Sequence, residues 1–201
     1  MSGPIEIIGA IMVGIALALL PAIADAIDVK LDDAAIRKAV EEGKQIKDVK
    51  NIQVPRFGAD LSKDICGGGG EIRTKTSALQ RLGALIAADP ERAERDKPQV
   101  EQAIQKTADA KELKIAFDFC GDTPDFAEDA QATLEQDGRM IKGEMGKPDQ
   151  AKKNTEGPAY RGKIAASFPY GAFNPTAPTK ITLYPKVGEA MSWEADFSKI
   201  K

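Results

Sequence analysis

From Ile7 to Ala24 the chain reads IIGAIMVGIALALLPAIA, 18 residues without a charge, and the chain beyond Ala24 is strongly polar. No other feature limits the fold as much. A segment apolar on every face, rather than along one stripe, fits a buried core helix of a globular domain less well than a membrane-directed segment. It is directed to a membrane. Pro21 breaks its helix near the end, and Ala24 and Ala26 flank Asp25 in the spacing a signal peptidase accepts, so cleavage after Ala26 leaves a chain beginning at Ile27. No Lys or Arg precedes the run, and 18 residues just span a thinned bilayer, so a retained anchor is the second reading. Residues 1–26 are thus a signal peptide or membrane anchor. The expected location is periplasmic or extracellular, with a membrane-anchored protein as the alternative.

Export gives the cysteine count its meaning. The sequence holds two cysteines, Cys66 and Cys120, and in an oxidising compartment they read as one disulfide, with two separate buried thiols as the alternative. Closing a loop of about 55 residues stabilises a fold by roughly 4 kcal/mol in the chain-entropy account. Histidine is absent, which excludes Ser-His-Asp and Cys-His catalysis, His-ligated zinc and a histidine pH switch. Two cysteines are too few for a structural zinc site or an iron–sulfur cluster. No cofactor is expected, and any metal would be a hard cation on oxygen ligands. A net charge of -3 supplies no global basic field, so no nucleic-acid partner is expected.

The run CGGGGEIRTKTSALQ, Cys66 to Gln80, places four glycines before a strand-like segment at Glu71–Thr76. It fits neither the P-loop nor the dinucleotide fingerprint. A sharp turn at a tethered cysteine accounts for it. Ser77 with Gln80 has capping-box spacing, and Leu79, Leu82, Leu85 and Ile86 come after it at helical intervals. An earlier helix is expected in LDDAAIRKAVEEGK, capped by Asp32 and stopped by Gly43, and a later one after a polar linker, capped by Asp96. LKIAFDFC, Leu113 to Cys120, is a strand. GDTPDFAEDAQATLEQDG has Thr123 as a cap and Pro124 at a first helical position, which predicts a helix closed by Asp137-Gly138. Beyond Arg139, the segments RMIKGEM, YRGKIAASF, TKITLYP and MSWEADF alternate like strands.

The expected fold class is therefore α+β: N-terminal helices with a few strands in residues 27–138, then a small antiparallel β sheet or sandwich in 139–201, with one disulfide. Charge divides the same way. Residues 27–138 carry 17 Lys+Arg against 23 Asp+Glu, whereas 139–201 carry 11 against 6. The basic half either faces an anionic partner, such as a cell-surface polymer or lipid headgroups, or uses its lysines to protect sheet edges.

Two side-chain groups are candidate sites. Asp118, Asp122 and Asp125, with Glu128 and Asp129, form the densest carboxylate cluster, suited to calcium or to the paired carboxylates of a hydrolase; acids at a helix start also need no further role. FPYGAFNP, Phe168 to Pro175, offers Phe168, Tyr170 and Phe173 either as a ligand-contact loop or as the closure of a β core. No catalytic residue is assigned. The expected function is an exported, non-enzymatic binding or structural module whose partner is a protein or cell-surface polymer. A cofactor-free hydrolase using carboxylates from Asp118 to Asp129 and a membrane-tethered accessory subunit are the alternatives.

Overall fold

Leu113, Ile115, Phe117 and Phe119 alternate with Lys114, Ala116, Asp118 and Cys120, and period 2 puts the two sets on opposite faces of a strand. That strand, β3 (Glu112–Gly121), is the spine of the molecule. A computed structural model describes residues 27–60, 64, 66–155 and 157–200; the apolar run and both readings of residues 1–26 lie outside the described residues. Along the chain come α1 (Asp33–Lys44), β1 (Arg56–Gly58), β2 (Gly69–Arg73), α2 (Lys75–Ala88), α3 (Pro90–Arg95), α4 (Lys97–Ala108) and β3. They are succeeded by β4 (Gln131–Gln136), β5 (Arg139–Lys142), β6 (Glu144–Met145), β7 (Lys152–Lys153), β8 (Tyr160–Pro169), β9 (Pro178–Tyr184) and β10 (Met191–Asp196).

Two antiparallel sheets result. The first is ordered β1-β2-β3-β8-β6, with β7 also paired to β8, and the second β10-β9-β4-β5. Strands on either side of residue 138 share both sheets, since β3 pairs with β8 and β4 with β9. One core unites them: Phe57, Ile72, Leu113, Ile115, Phe117, Ile164 and Phe168 from the first sheet join Ala132, Leu134, Ile181 and Leu183 from the second. Burying each large side chain of this set contributes about 1.5–3 kcal/mol. With four α-helices beside the sheets among the described residues, the fold is α+β as expected.

Cys66 and Cys120 are bonded, with Cα atoms 5.2 Å apart. The Asn154 amide donates toward both sulfurs, at 3.7 and 3.5 Å, and to the Pro158 carbonyl at 2.8 Å. The glycines after Cys66 are a sheet corner. Gly68 has φ +70, a left-handed conformation that favours glycine, and a Cβ there would lie 2.9 Å from the Met191 sulfur and 3.2 Å from the Trp193 ring. Gly70, within β2, lies so close to the Ala116 carbonyl of β3 that any side chain would overlap it.

Four local expectations are corrected. Residues 123–138 do not form a helix: the chain turns after β3 and then runs into β4, which pairs with β5. Ala132, Leu134 and Gln136 point inward and are buried, and Asp137 (φ 50) with Gly138 (φ 74) makes the left-handed two-residue turn that matches strand twist in a hairpin. Long-range burial of that alternation outweighs the cap-like Thr123-Pro124. The cap of α2 is Thr74, whose hydroxyl accepts from the Ser77 N–H at 3.1 Å, while the Ser77 hydroxyl donates to the Thr74 carbonyl at 3.0 Å. Gly43 lies inside α1 rather than ending it, and serves close approach: side chains at Gly43 and Gly83 would overlap the Gln80 and Val40 carbonyls of the opposing helix. The linker before Asp96 is α3, begun by Pro90 and capped by Asp89.

The helices α1, α2 and α4 gather Ala39, Val40, Leu79, Ile36, Leu82, Ile86 and Ile104 into a second small core. Lys75 joins them to the sandwich. Its ammonium donates to the Val29 carbonyl at 2.8 Å and the Ala108 carbonyl at 2.7 Å, and lies 5.2 Å over the Tyr170 ring. Burial lowers the Lys75 pKa, and Lys111 pushes it the same way. Burial, with Asp28 adding to it, raises the Tyr170 phenol to about 12. A phenol whose folded pKa exceeds its unfolded value of 10.0 gives stability that is complete below pH 10 and is lost as pH rises toward 12. Lys75 acts with the opposite sign in the window below 10.5. Wild type should therefore lose about 2 kcal/mol more than Tyr170→Phe between pH 10 and 12, read from urea midpoints. Parallel pH profiles for the two proteins would remove this assignment.

Candidate functional site

The inward set of each strand is spent on the core, so the chemistry lies on the outward set of the first sheet. β1 places Arg56 outward, β2 Glu71 and Arg73, β3 Lys114, Ala116 and Asp118, and β8 Arg161, Lys163 and Ala165. The edge pieces add Glu144 opposite Ser167 and Lys152 opposite Arg161. With Glu112 of β3 on the same side as Lys114, six cations and four carboxylates thus share one sheet face. Ala116 and Ala165 are direct cross-strand partners, and their small side chains leave a shallow floor between the charged rows.

Asp118 organises one end of this face. It is 1% exposed, and burial of a carboxylate is costly unless charge or hydrogen bonds compensate. Arg161 Nη2 donates to Oδ1 at 3.3 Å, and Lys163 Nζ stands 2.8 Å from Oδ2. The lysine approach is a charge contact off the hydrogen-bond direction, leaving Oδ2 without a donor. Glu71 ties the other end, with Arg73 Nε at 3.5 Å, Arg56 Nη2 at 3.6 Å and Lys163 Nζ at 4.0 Å. Beside Asp118 a cleft of about 230 Å³ opens between β8 and Asp149, Gln150 and Lys152.

One pairing in the face runs against sheet stability. Arg73 stands directly opposite Lys114, and like charges in that position repel. Among the described residues no carboxylate forms an ion pair with Lys114.

The expected sites fall elsewhere. Asp118, Asp122 and Asp125 do not assemble: among the described residues no group of three acidic or thiol ligands is placed to hold a metal ion. Alternation in β3 commits Asp118 to the sheet face and its cations, whereas Asp122 and Asp125 are exposed in the turn after β3. The Thr123 hydroxyl, bonded to Asp125, lowers that carboxyl's pKa. Phe168, Tyr170 and Phe173 are 0%, 7% and 7% exposed, and Phe173 packs edge-on against Phe197 with ring centroids 5.7 Å apart. They lie in the core cluster. Sequence reading missed Arg73, Lys114, Arg161 and Lys163 as a group. The available signal was the Arg161-x-Lys163 step, which puts two cations on one face of a strand.

No protein-family profile matches the chain, and no curated protein or solved structure is similar to it. Among the described residues no helix is long and apolar enough to cross a membrane.

Proposed function

We propose that this chain is an exported, non-enzymatic binding module whose outer sheet face docks an anionic cell-surface polymer. The observation that carries the reading is the Arg73–Lys114 pair, two cations in direct register on a face that already holds Arg56, Arg161 and Lys163. A polyanion laid across β2 and β3 turns that repulsion into attraction. The shallow alanine floor suits a linear ligand better than a small one, and the face carries no aromatic or large aliphatic side chain for insertion into lipid. The hydrolase reading has less support, because its carboxylates are dispersed and Asp118 is neutralised by two cations.

The test uses the whole chain, since β8 belongs to the same sheet as β2 and β3. Binding to a polyuronate such as alginate should weaken steeply between about 20 and 300 mM salt, as expected for partly exposed charges. Arg73→Glu with Lys114→Glu should weaken it about tenfold or more at low salt. Unchanged affinity in the double variant would sink the proposal.

A further inference from the structure

We propose that the ligand is a polyuronate lying lengthwise over the sheet, from the Arg73–Lys114 pair to Arg161 and Lys152, an inference that rests on the reading of this face as a polyanion-docking surface. Register arranges the outward residues in four successive rows across the strands. The first joins Arg73, Lys114, Ser167 and Glu144, and the second Arg56, Glu71, Ala116 and Ala165. The third holds Gly69, Asp118 and Lys163, and the fourth Cys120, Arg161 and Lys152. A ligand lying within one row meets at most two cations. One that crosses the rows runs from Arg73 and Lys114 over the alanine floor, past Lys163, to Arg161 and Lys152, five of the six. From Lys114 to Cys120 the path follows β3 for about 20 Å at the rise of a strand, the length of roughly four linked sugar rings.

The ends of that path differ from its middle. Lys114 and Lys152 are exposed, and among the described residues neither forms an ion pair with a carboxylate. The end rows therefore offer cations to the carboxylates of a ligand. In the middle rows stand Glu71 and Asp118, which accept hydrogen bonds and repel anions. Asp118 Oδ2 has no donor, and Asp118 borders the cleft lined by Lys152, Arg161 and Lys163. The Lys163 ammonium stands between the two acids, 2.8 Å from Asp118 and 4.0 Å from Glu71, and turning it toward a ligand carboxylate opens Oδ2 to the cleft. A sugar hydroxyl is the donor this oxygen lacks. A uronate chain brings both a carboxylate and hydroxyls on its rings, whereas inorganic polyphosphate brings acceptors alone and meets Glu71 and Asp118 as repulsion.

The experiment titrates the whole chain at low salt with oligogalacturonates from dimer to octamer, with the tetramer O-methylated at its hydroxyls, and with inorganic polyphosphate. Affinity should climb to about the tetramer and then level, as cations at both ends of a path of this length become occupied. The methylated tetramer, which keeps its carboxylates, should bind about tenfold more weakly through loss of hydrogen bonds to charged acceptors. Lys152→Ala should weaken the tetramer about threefold, while the same change of charge at Lys106, exposed on α4, leaves it unaltered. Affinity that keeps rising through the octamer, equal effects of Lys152→Ala and Lys106→Ala, full binding of the methylated tetramer, or binding of polyphosphate but of no uronate would each overturn this inference and leave polyanion docking standing. If the double variant at Arg73 and Lys114 binds every probe as wild type does, both the inference and the reading beneath it are overturned.

Discussion

Replacing Cys66 and Cys120 together by alanine is expected to destabilise the protein by about 4 kcal/mol, the chain-entropy value for a closed loop of this length. The two residues are separated by 54 positions, and β2, α2, α3 and α4 all lie between them. The bond holds the entry to β2 beside the end of β3, where Gly69 pairs with Asp118. Without it the unfolded chain regains the freedom of that whole loop, while the folded chain keeps its sheet pairing and loses little packing. For a chain of this size the loss corresponds to a melting point lower by about 10 °C. Denaturant midpoints of the double variant and of reduced wild type should shift together. A shift below about 1 kcal/mol in both would mean that the unfolded state is already compact around this pairing.

Gly70→Ala should be among the most damaging single methyl groups, since it drives a Cβ into a backbone carbonyl as Gly43 and Gly83 substitutions also would. The added Cβ would overlap the Ala116 carbonyl oxygen and lie 2.7 Å from Cζ of Phe57. Neither neighbour can yield cheaply. The carbonyl belongs to the central strand, and Phe57 is packed edge-on against Phe117 and tilted against Trp193 at 5.2 Å. Relief requires β2 to move off β3, so a loss of about 3 kcal/mol is expected, at the upper end of overpacking costs. Gly171→Ala is the matched control: a Cβ there meets nothing within 4 Å, and the change should stay within about 0.5 kcal/mol. Equal melting points for the two variants would contradict the sheet-corner role of the glycine run.

Where local and global signals agreed, the residues were readable directly. Leu113 to Cys120 alternates over its length and is β3, and two cysteines allow one intramolecular bond. Residues 123–138 suggest a helix from sequence because Thr123-Pro124 suits both a helix start and a turn, and ATLEQ is compatible with either period. What decided it was the pairing of Gln131–Glu135 with Tyr184–Lys180 in β9, about 50 residues away. Gly43 has the same character: a glycine near a helix end looks like a stop until Gln80 is known to lie against it. The aromatic loop resolved toward the core because Phe197 arrives from the far end of the chain to cover Phe173.

The candidate face was legible only in pieces. The sequence alone determined that Arg161 and Lys163 share a side of one strand, that Glu71 and Arg73 share a side of another, and that two cysteines and no histidine leave a disulfide but no histidine chemistry. Tertiary structure decided that β2, β3 and β8 are neighbours, in a register that sets Arg73 against Lys114 and Lys163 against Asp118. The physical reason is range. Alternation within a strand comes from backbone geometry over a few residues, whereas strand order and register come from burying one core between two sheets, a condition that involves residues from Ile27 to Ile200 at once.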